Sequence, residues 1–174
     1  MLAQVPEPPS IQTREANIAD REWMTEQLRS SWGSTTVISR GQAYDAAQLP
    51  TLVALDGDQR VGLATFRHEG AECELITLDA FRKHSGIGSV LLERVAQEAA
   101  DRGCARLWLV TTNDNVDAIR FYQRRGMRLV AVHAGAVDVA RKLKPSIPEV
   151  GEYGIALHDE LEFELPLYTR RSTP

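Results

Sequence analysis

Two cysteines in 174 residues, Cys73 and Cys104, stand far apart and form no C-x-x-C, which removes a zinc knuckle, a redox pair and a disulfide framework. No metal is expected. Long apolar runs are missing as well: none approaches the roughly 18 to 20 residues that cross a bilayer, and MLAQVPEPPS at the start has neither a basic nor an apolar run. These absences predict a cytoplasmic protein with no membrane partner. Basic residues are not in excess, with 20 Lys and Arg against 24 Asp and Glu for a formal net charge of −4, so a general nucleic-acid coat is disfavoured. Local basic pockets stay open. There is no repeat, low-complexity segment or internal linker, and a composition 43% hydrophobic and 25% charged fits one soluble globular domain with a single core.

Residues 1–10, with Pro6, Pro8 and Pro9, cannot supply consecutive backbone donors and are expected to be loose, as is the tail 168–174. The domain is placed at 11–167. A short strand, Ile11–Arg14, precedes Asn17, which caps a predicted helix through about Ser31 with Trp23, Leu28 and Trp32 on its apolar side. After a break at Gly33–Thr36 a short helix is predicted near Gln42–Ala47. Strands over Leu49–Leu55, Val61–Phe66 and about Glu72–Leu78, joined by turns at Asp56-Gly57-Asp58 and Glu69-Gly70, make an antiparallel meander. The period then changes: Ile87, Leu91, Val95 and Ala99 mark the clearest helix, closed by Gly103 as a left-handed cap. Leu107–Val110 reads as a strand covered on both faces, and Asn113–Asn115 as turn and cap of a helix Val116–Arg125 that stops at Gly126. A strand Met127–Val132, a short helix Val137–Leu143, a loop bounded by Pro145 and Pro148, and a last strand Leu161–Leu165 follow. The alternation of that strand predicts one buried and one solvated face. The fold class is α/β: a mixed, mostly antiparallel sheet of about seven strands flanked by helices.

Lys83-His84-Ser85-Gly86-Ile87-Gly88 lies between a strand and the strongest helix. A helix N-terminus offers four N–H groups without intrahelical partners and about half a positive charge, so it accepts phosphate. The glycines let a ligand approach, and Lys83, His84 and Ser85 add donors. Taken alone, the segment fits a tight turn with a solvated lysine equally well. A dinucleotide fingerprint fits poorly because Leu91 occupies the place of its third glycine, and the Walker pattern is absent. The second segment, Asn115 to Gly126, opens a helix with Asn115, Ala118 and Tyr122 on one side.

In this order, the two segments resemble the acyl-CoA-binding motifs of the GNAT superfamily of N-acetyltransferases: a loop Gln/Arg-x-x-Gly-x-Gly/Ala and a later helix Asn-x-x-Ala-x-x-Phe-Tyr-x-x-x-Gly-Phe. The resemblance implies acetyl-CoA as co-substrate, no metal, and direct acetyl transfer to a primary amine of a small acceptor. It also implies that the backbone of Ile76 and Leu78 pairs with the pantetheine arm as a neighbouring strand would. The N–H groups of His84, Ser85, Gly86, Ile87, Gly88 and Ser89 would hold the pyrophosphate. Asn115 would contact the pantetheine or the nearby phosphate, Ala118 and Phe121 would line the channel, and Tyr122 would stand near the sulfur. Lys83 departs from the usual Gln or Arg, keeping a donor but losing the planar fork. Met127 in place of Phe is a packing change.

Such a transfer must orient two reactants, stabilise an oxyanion, take a proton from the amine and return one to sulfur. A strand N–H near Ile76 to Leu78 suits the oxyanion. Tyr122, with a phenol pKa of about 10, stays protonated beside a thiolate and is the candidate acid, simple packing being its alternative. Glu72 or Glu74 is the candidate base, with Glu74 preferred because it is expected to share a strand face with Ile76 and Leu78; a solvated carboxylate or proton loss to bulk water competes. Trp32 and Arg40, with Ser39, fall where this superfamily builds its acceptor site, and core packing explains Trp32 about as well. Glu160, Glu162 and Glu164 either attract a cationic acceptor or solubilise the last strand. Arg124, Arg125 and Arg128 reach the 3′-phosphate or lie in solvent, and His133 and His158 read as ordinary surface histidines. An acyl-CoA sensor without turnover is an alternative function. Acylation of protein or charged-tRNA amines is another, disfavoured by the acidic balance. A homodimer is left open.

Overall fold

The computed structural model describes residues 11–82 and 85–167. The expected loose ends, and Lys83 and His84, lie outside the described residues. Strand β1 (Gln12–Glu15) leads to Asn17, whose side chain accepts from the Ala19 N–H while the Asp20 carboxylate accepts the Asn17 N–H at 2.8 Å. This capping box closes a single 3-10 turn, Ile18–Asp20, and helix α1 (Arg21–Trp32) starts from it, so the expected helix is built in two pieces. Met24 and Leu28 face inward, and Gly33 ends α1 at a φ of 74°.

The predicted helix near Gln42–Ala47 is replaced by a hairpin, β2 (Thr36–Ser39) against β3 (Gln42–Asp45). Its two-residue turn, Arg40-Gly41, has φ values of 48° and 74°, the positive pair that a tight hairpin requires. Thr36, Val37 and Ile38 are β-branched and favour the extended form. Only the 3-10 turn Ala46–Gln48, capped by Asp45, remains of the helix.

Strands β4 (Thr51–Asp56), β5 (Gln59–Glu69), β6 (Glu72–Ala80), β7 (Arg106–Thr112), β8 (Arg128–His133) and β9 (Glu160–Pro166) join β1 in a seven-stranded sheet ordered β1-β4-β5-β6-β7-β9-β8. Among the described pairings only β6 with β7 is parallel. Helix α2 (Ile87–Asp101) packs Ile87, Leu91, Val95 and Ala99 on one face of the sheet with Phe66, Leu107 and Phe163. Each fully buried Leu or Val there contributes about 1.5–3 kcal/mol relative to exposure. On the other face α1 and the hairpin close a smaller core of Leu28, Val37, Ala46, Leu63 and Ile76. Helices α3 (Val116–Arg124) and α4 (Ala136–Leu143) complete the layers.

Two irregularities shape the middle of the sheet. Thr65 pairs with Thr77 but Phe66 pairs with Leu75, so Ile76 is an extra residue in β6. This bulge corrects the expectation that Glu74, Ile76 and Leu78 share a face: Ile76 joins the α1-side core, while Leu78 packs on the α2 side. Secondly, β6 and β7 pair only from Glu72–Arg106 to Glu74–Trp108, although both strands continue. Beyond Glu74 they separate and leave a slot edged by β6 backbone. Strand β9 departs from the expected solvated face, because it lies between β7 and β8 with the hairpin tip over it, and Glu160 and Glu162 are buried.

Candidate active site

On the α2 side of the slot, Gly86 caps α2 at a φ of 79°, which an L side chain rarely adopts, and Ile87 anchors the first turn in the core. The first-turn N–H groups are thereby presented beside the slot. Ser85 donates its hydroxyl to the Arg82 carbonyl at 2.7 Å. At Gly88 a Cβ would meet ring carbons of Phe121 at 3.1 and 3.2 Å, so the missing side chain lets α3 approach α2. Arg125 completes the contact: its Nε donates to Ser89 Oγ at 2.8 Å, and its guanidinium lies 3.7 Å from the Phe121 ring centroid. Arg125 is thus a positive charge fixed at the start of α2 rather than a solvated arginine, whereas Arg124 is exposed and Arg128 pairs with Glu164.

Asn115 caps α3, accepting the Ala118 N–H at 3.1 Å, and Ala118 packs on the main core. Tyr122, 9% exposed, lies against Phe121 and Phe163 with ring centroids 5.3 and 6.2 Å away. Burial, and then the negative charge of Asp79, hold its phenol above the ordinary value. Asp79 is on β6 and Phe163 on β9, on opposite sides of β7, so Tyr122 stands behind the slot.

On the opposite face, Glu74 is 2% exposed rather than solvated. It accepts from the Ser39 hydroxyl and from Arg67 Nη1 at 2.9 Å. Burial raises its pKa, and these two donors draw it partly back. Glu72 is committed to Arg106 at 2.9 Å. Trp32 is not a core residue: its indole donates to Asp79 at 3.0 Å, and burial raises the Asp79 pKa against that bond. Arg40 gives its N–H to Glu160 at 3.2 Å, directs its guanidinium to Glu162 at 3.7 Å and lies over Trp108. His133 is bonded to Glu162 at 2.8 Å, and His158 to its neighbour Asp159. Burial pulls the Glu162 pKa up, but His133 and Arg106 outweigh it and lower the net value.

The described residues thus bring Ser85, Gly86, Ile87, Gly88, Ser89, Asn115, Ala118, Phe121 and Tyr122 to one side of the sheet's opening, and Ile76, Glu74, Trp32 and Arg40 to the other. Leu78 faces the α2 side. Asp79, Arg125 and Glu160 complete the constellation and were not singled out as site residues by motif. Asp79 follows Leu78 on the strand that enters the loop, and that adjacency was its only local signal.

A family model described as the acetyltransferase (GNAT) family matches residues 18–127. The protein YdhI of Bacillus subtilis (strain 168) is 38% identical over 144 residues, which is 82% of this chain and 90% of YdhI. Among solved structures, YncA of Salmonella typhimurium with its cofactor acetyl-CoA superposes with a TM-score of 0.65 at 21% identity, covering 94% of this chain and 97% of that one. The IAA acetyltransferase of Bacillus cereus ATCC 14579 gives 0.66 at 19% identity, over 91% and 100%.

Proposed function

The chain belongs to the acetyltransferase (GNAT) family, and from that premise we propose that it moves the acetyl group of acetyl-CoA to a primary amine by direct attack, without a covalent enzyme intermediate. The observation that carries this reading is the slot where β6 leaves β7 after Glu74, with a helix N-terminus at one end and a buried tyrosine behind it. A pantetheine arm has amides that hydrogen-bond to a free strand edge as a neighbouring strand does. The α2 first turn, strengthened by Arg125, suits a pyrophosphate. The acetyl-CoA held by YncA supports the same ligand here.

The β6 bulge at Ile76 directs backbone N–H groups to the place where the thioester carbonyl develops negative charge. Tyr122, held above its ordinary pKa, keeps its proton beside a leaving thiolate and donates it. Glu74 receives the amine proton, with Ser39 as a hydroxyl in contact with its carboxylate. Its raised pKa brings it nearer to the working pH of a base. Reactants enter from opposite faces, which orders the attack without a covalent relay.

Isothermal titration with acetyl-CoA and a coupled assay of amine-dependent CoA release test the reading. Tyr122→Phe is expected to lower kcat by about 100-fold while acetyl-CoA affinity stays close to that of the wild type. A protein that fails to bind acetyl-CoA overturns the proposal.

A further inference from the structure

Three carboxylates are buried on the hairpin side of the sheet, and two have cations in contact. Glu74 has Arg67 at 2.9 Å; Glu162 has Arg106 at 3.1 Å and is also hydrogen-bonded to the His133 ring at 2.8 Å. Glu160, 4% exposed, has no cation in contact among the described residues. Its Oε2 accepts a single bond, from the Arg40 backbone at 3.2 Å. Its Oε1 has no hydrogen-bond partner among the described residues and is not among the side-chain atoms sealed from solvent. The guanidinium of Arg40 is turned to Glu162 and Trp108, and the His133 ring, across the strand pair, is bonded to Glu162. A carboxylate taken out of water and given one neutral donor is poorly compensated. Burial raises its proton affinity; the Arg40 N–H, and then the charges of His133 and Arg40 from a distance, act against this, and the charge of Glu74 adds slightly to it.

Glu160 also lies close to the proposed reaction centre. Consecutive residues at the hairpin tip touch both carboxylates, Ser39 through its hydroxyl to Glu74 and Arg40 through its N–H to Glu160. About 4 Å of backbone, plus two hydrogen bonds, therefore spans them. A short aliphatic chain with nitrogen at each end matches that separation.

We propose that Glu160 seats a second positive charge of the acceptor, so that the preferred substrates are short diamines rather than monoamines with neutral tails. The fate of the first nitrogen rests on the acetyl-transfer reading; the seat for the second does not. An ammonium brings the missing cation and the missing donor together. In its absence Glu160 is a stability cost, as charged binding residues often are.

Titration of 1,3-diaminopropane and n-propylamine into the CoA-loaded wild type and Glu160→Gln, beside initial rates of CoA release from acetyl-CoA, tests the proposal. The wild type is expected to bind the diamine about tenfold more tightly. In Glu160→Gln the diamine preference in binding and in kcat/KM collapses, the larger part of the change lies in KM, and Tm rises. Equal affinity for the two amines in the wild type overturns the proposal without any variant, as does a preference that survives Glu160→Gln. A loss confined to kcat also overturns it, since Glu160 would then serve proton transfer. Failure of the acetyl-transfer reading is distinct: a diamine preference sensitive to Glu160→Gln, with no CoA released by any amine, supports the seat and rejects the chemistry.

Discussion

Gly88 illustrates how one atom can serve two surfaces. Its backbone belongs to the turn that faces the proposed pyrophosphate, while the place of its absent Cβ lies 3.1 Å from Phe121. In an exposed helix, Gly→Ala gains about 1 kcal/mol. Here that gain meets a ring fixed by Arg125 and Tyr122, so Gly88→Ala is expected to lower Tm and weaken acetyl-CoA binding about tenfold in calorimetry. Adding Phe121→Leu should recover part of the Tm. The spacing of Gly86 and Gly88 was readable in the sequence, but the contact with Phe121 was not, because it depends on how α3 docks. The cysteines were more transparent. Both are buried, and burial, followed by the neighbouring Cys104, pushes the Cys73 thiol up to about 12. A thiol reagent at about pH 8 should label neither in the native protein and both after unfolding.

The hairpin β2–β3 is the element that links Glu74 and Glu160 on the proposed acceptor face, and it is also the one that local pattern misassigned. Four-residue strands carry too little periodicity to be told from a helical turn, whereas α2, over 15 residues, could be read almost to its ends. The polarity of β9 was misread for another reason: its alternation is plain, but its insertion between β7 and β8 is a long-range fact. Ser39 as a partner of Glu74 was hidden with the hairpin, whereas Arg67 lies directly across from Glu74 in the β5–β6 pairing. Arg40, at a φ of 48°, makes the element's function separable from its stability. Relief of a left-handed non-glycine residue is worth about 1–2 kcal/mol, while its half-exposed ion pair with Glu162 contributes about 0–1 kcal/mol. Arg40→Gly is therefore expected to hold or raise Tm in thermal denaturation, to leave acetyl-CoA affinity unchanged and to raise the KM for the amine.

At the scale of the whole molecule, the mild net charge of −4 conceals two sets of carboxylates with opposite effects on folding. Asp20, fully buried, accepts from Arg14 and Arg60 and ties β1 to β5; the Arg14 bond holds its carboxyl far below the ordinary range. Below about pH 4 the unfolded chain takes up this proton before the folded one does, so stability falls as the pH drops through that window. Glu74, Asp79 and Glu160 have raised values, with burial the leading cause in each. For them the folded state holds the proton longer, and stability is lost as pH rises from about 4 through their folded values. His68, lowered by burial, works the other way until about pH 6.5. The difference between a variant and the wild type isolates one group from this sum. Thermal denaturation from pH 4 to 8 should show Glu160→Gln gaining on the wild type as pH rises, by about 3 °C or more at the alkaline end. Asp20→Asn should instead lose about equally across this range and converge on the wild type only when the scan is carried below about pH 4. A Glu160→Gln difference that stays flat across this range would mean that the carboxylate is not held against its charge, and that the acceptor face carries no unmet demand for a cation.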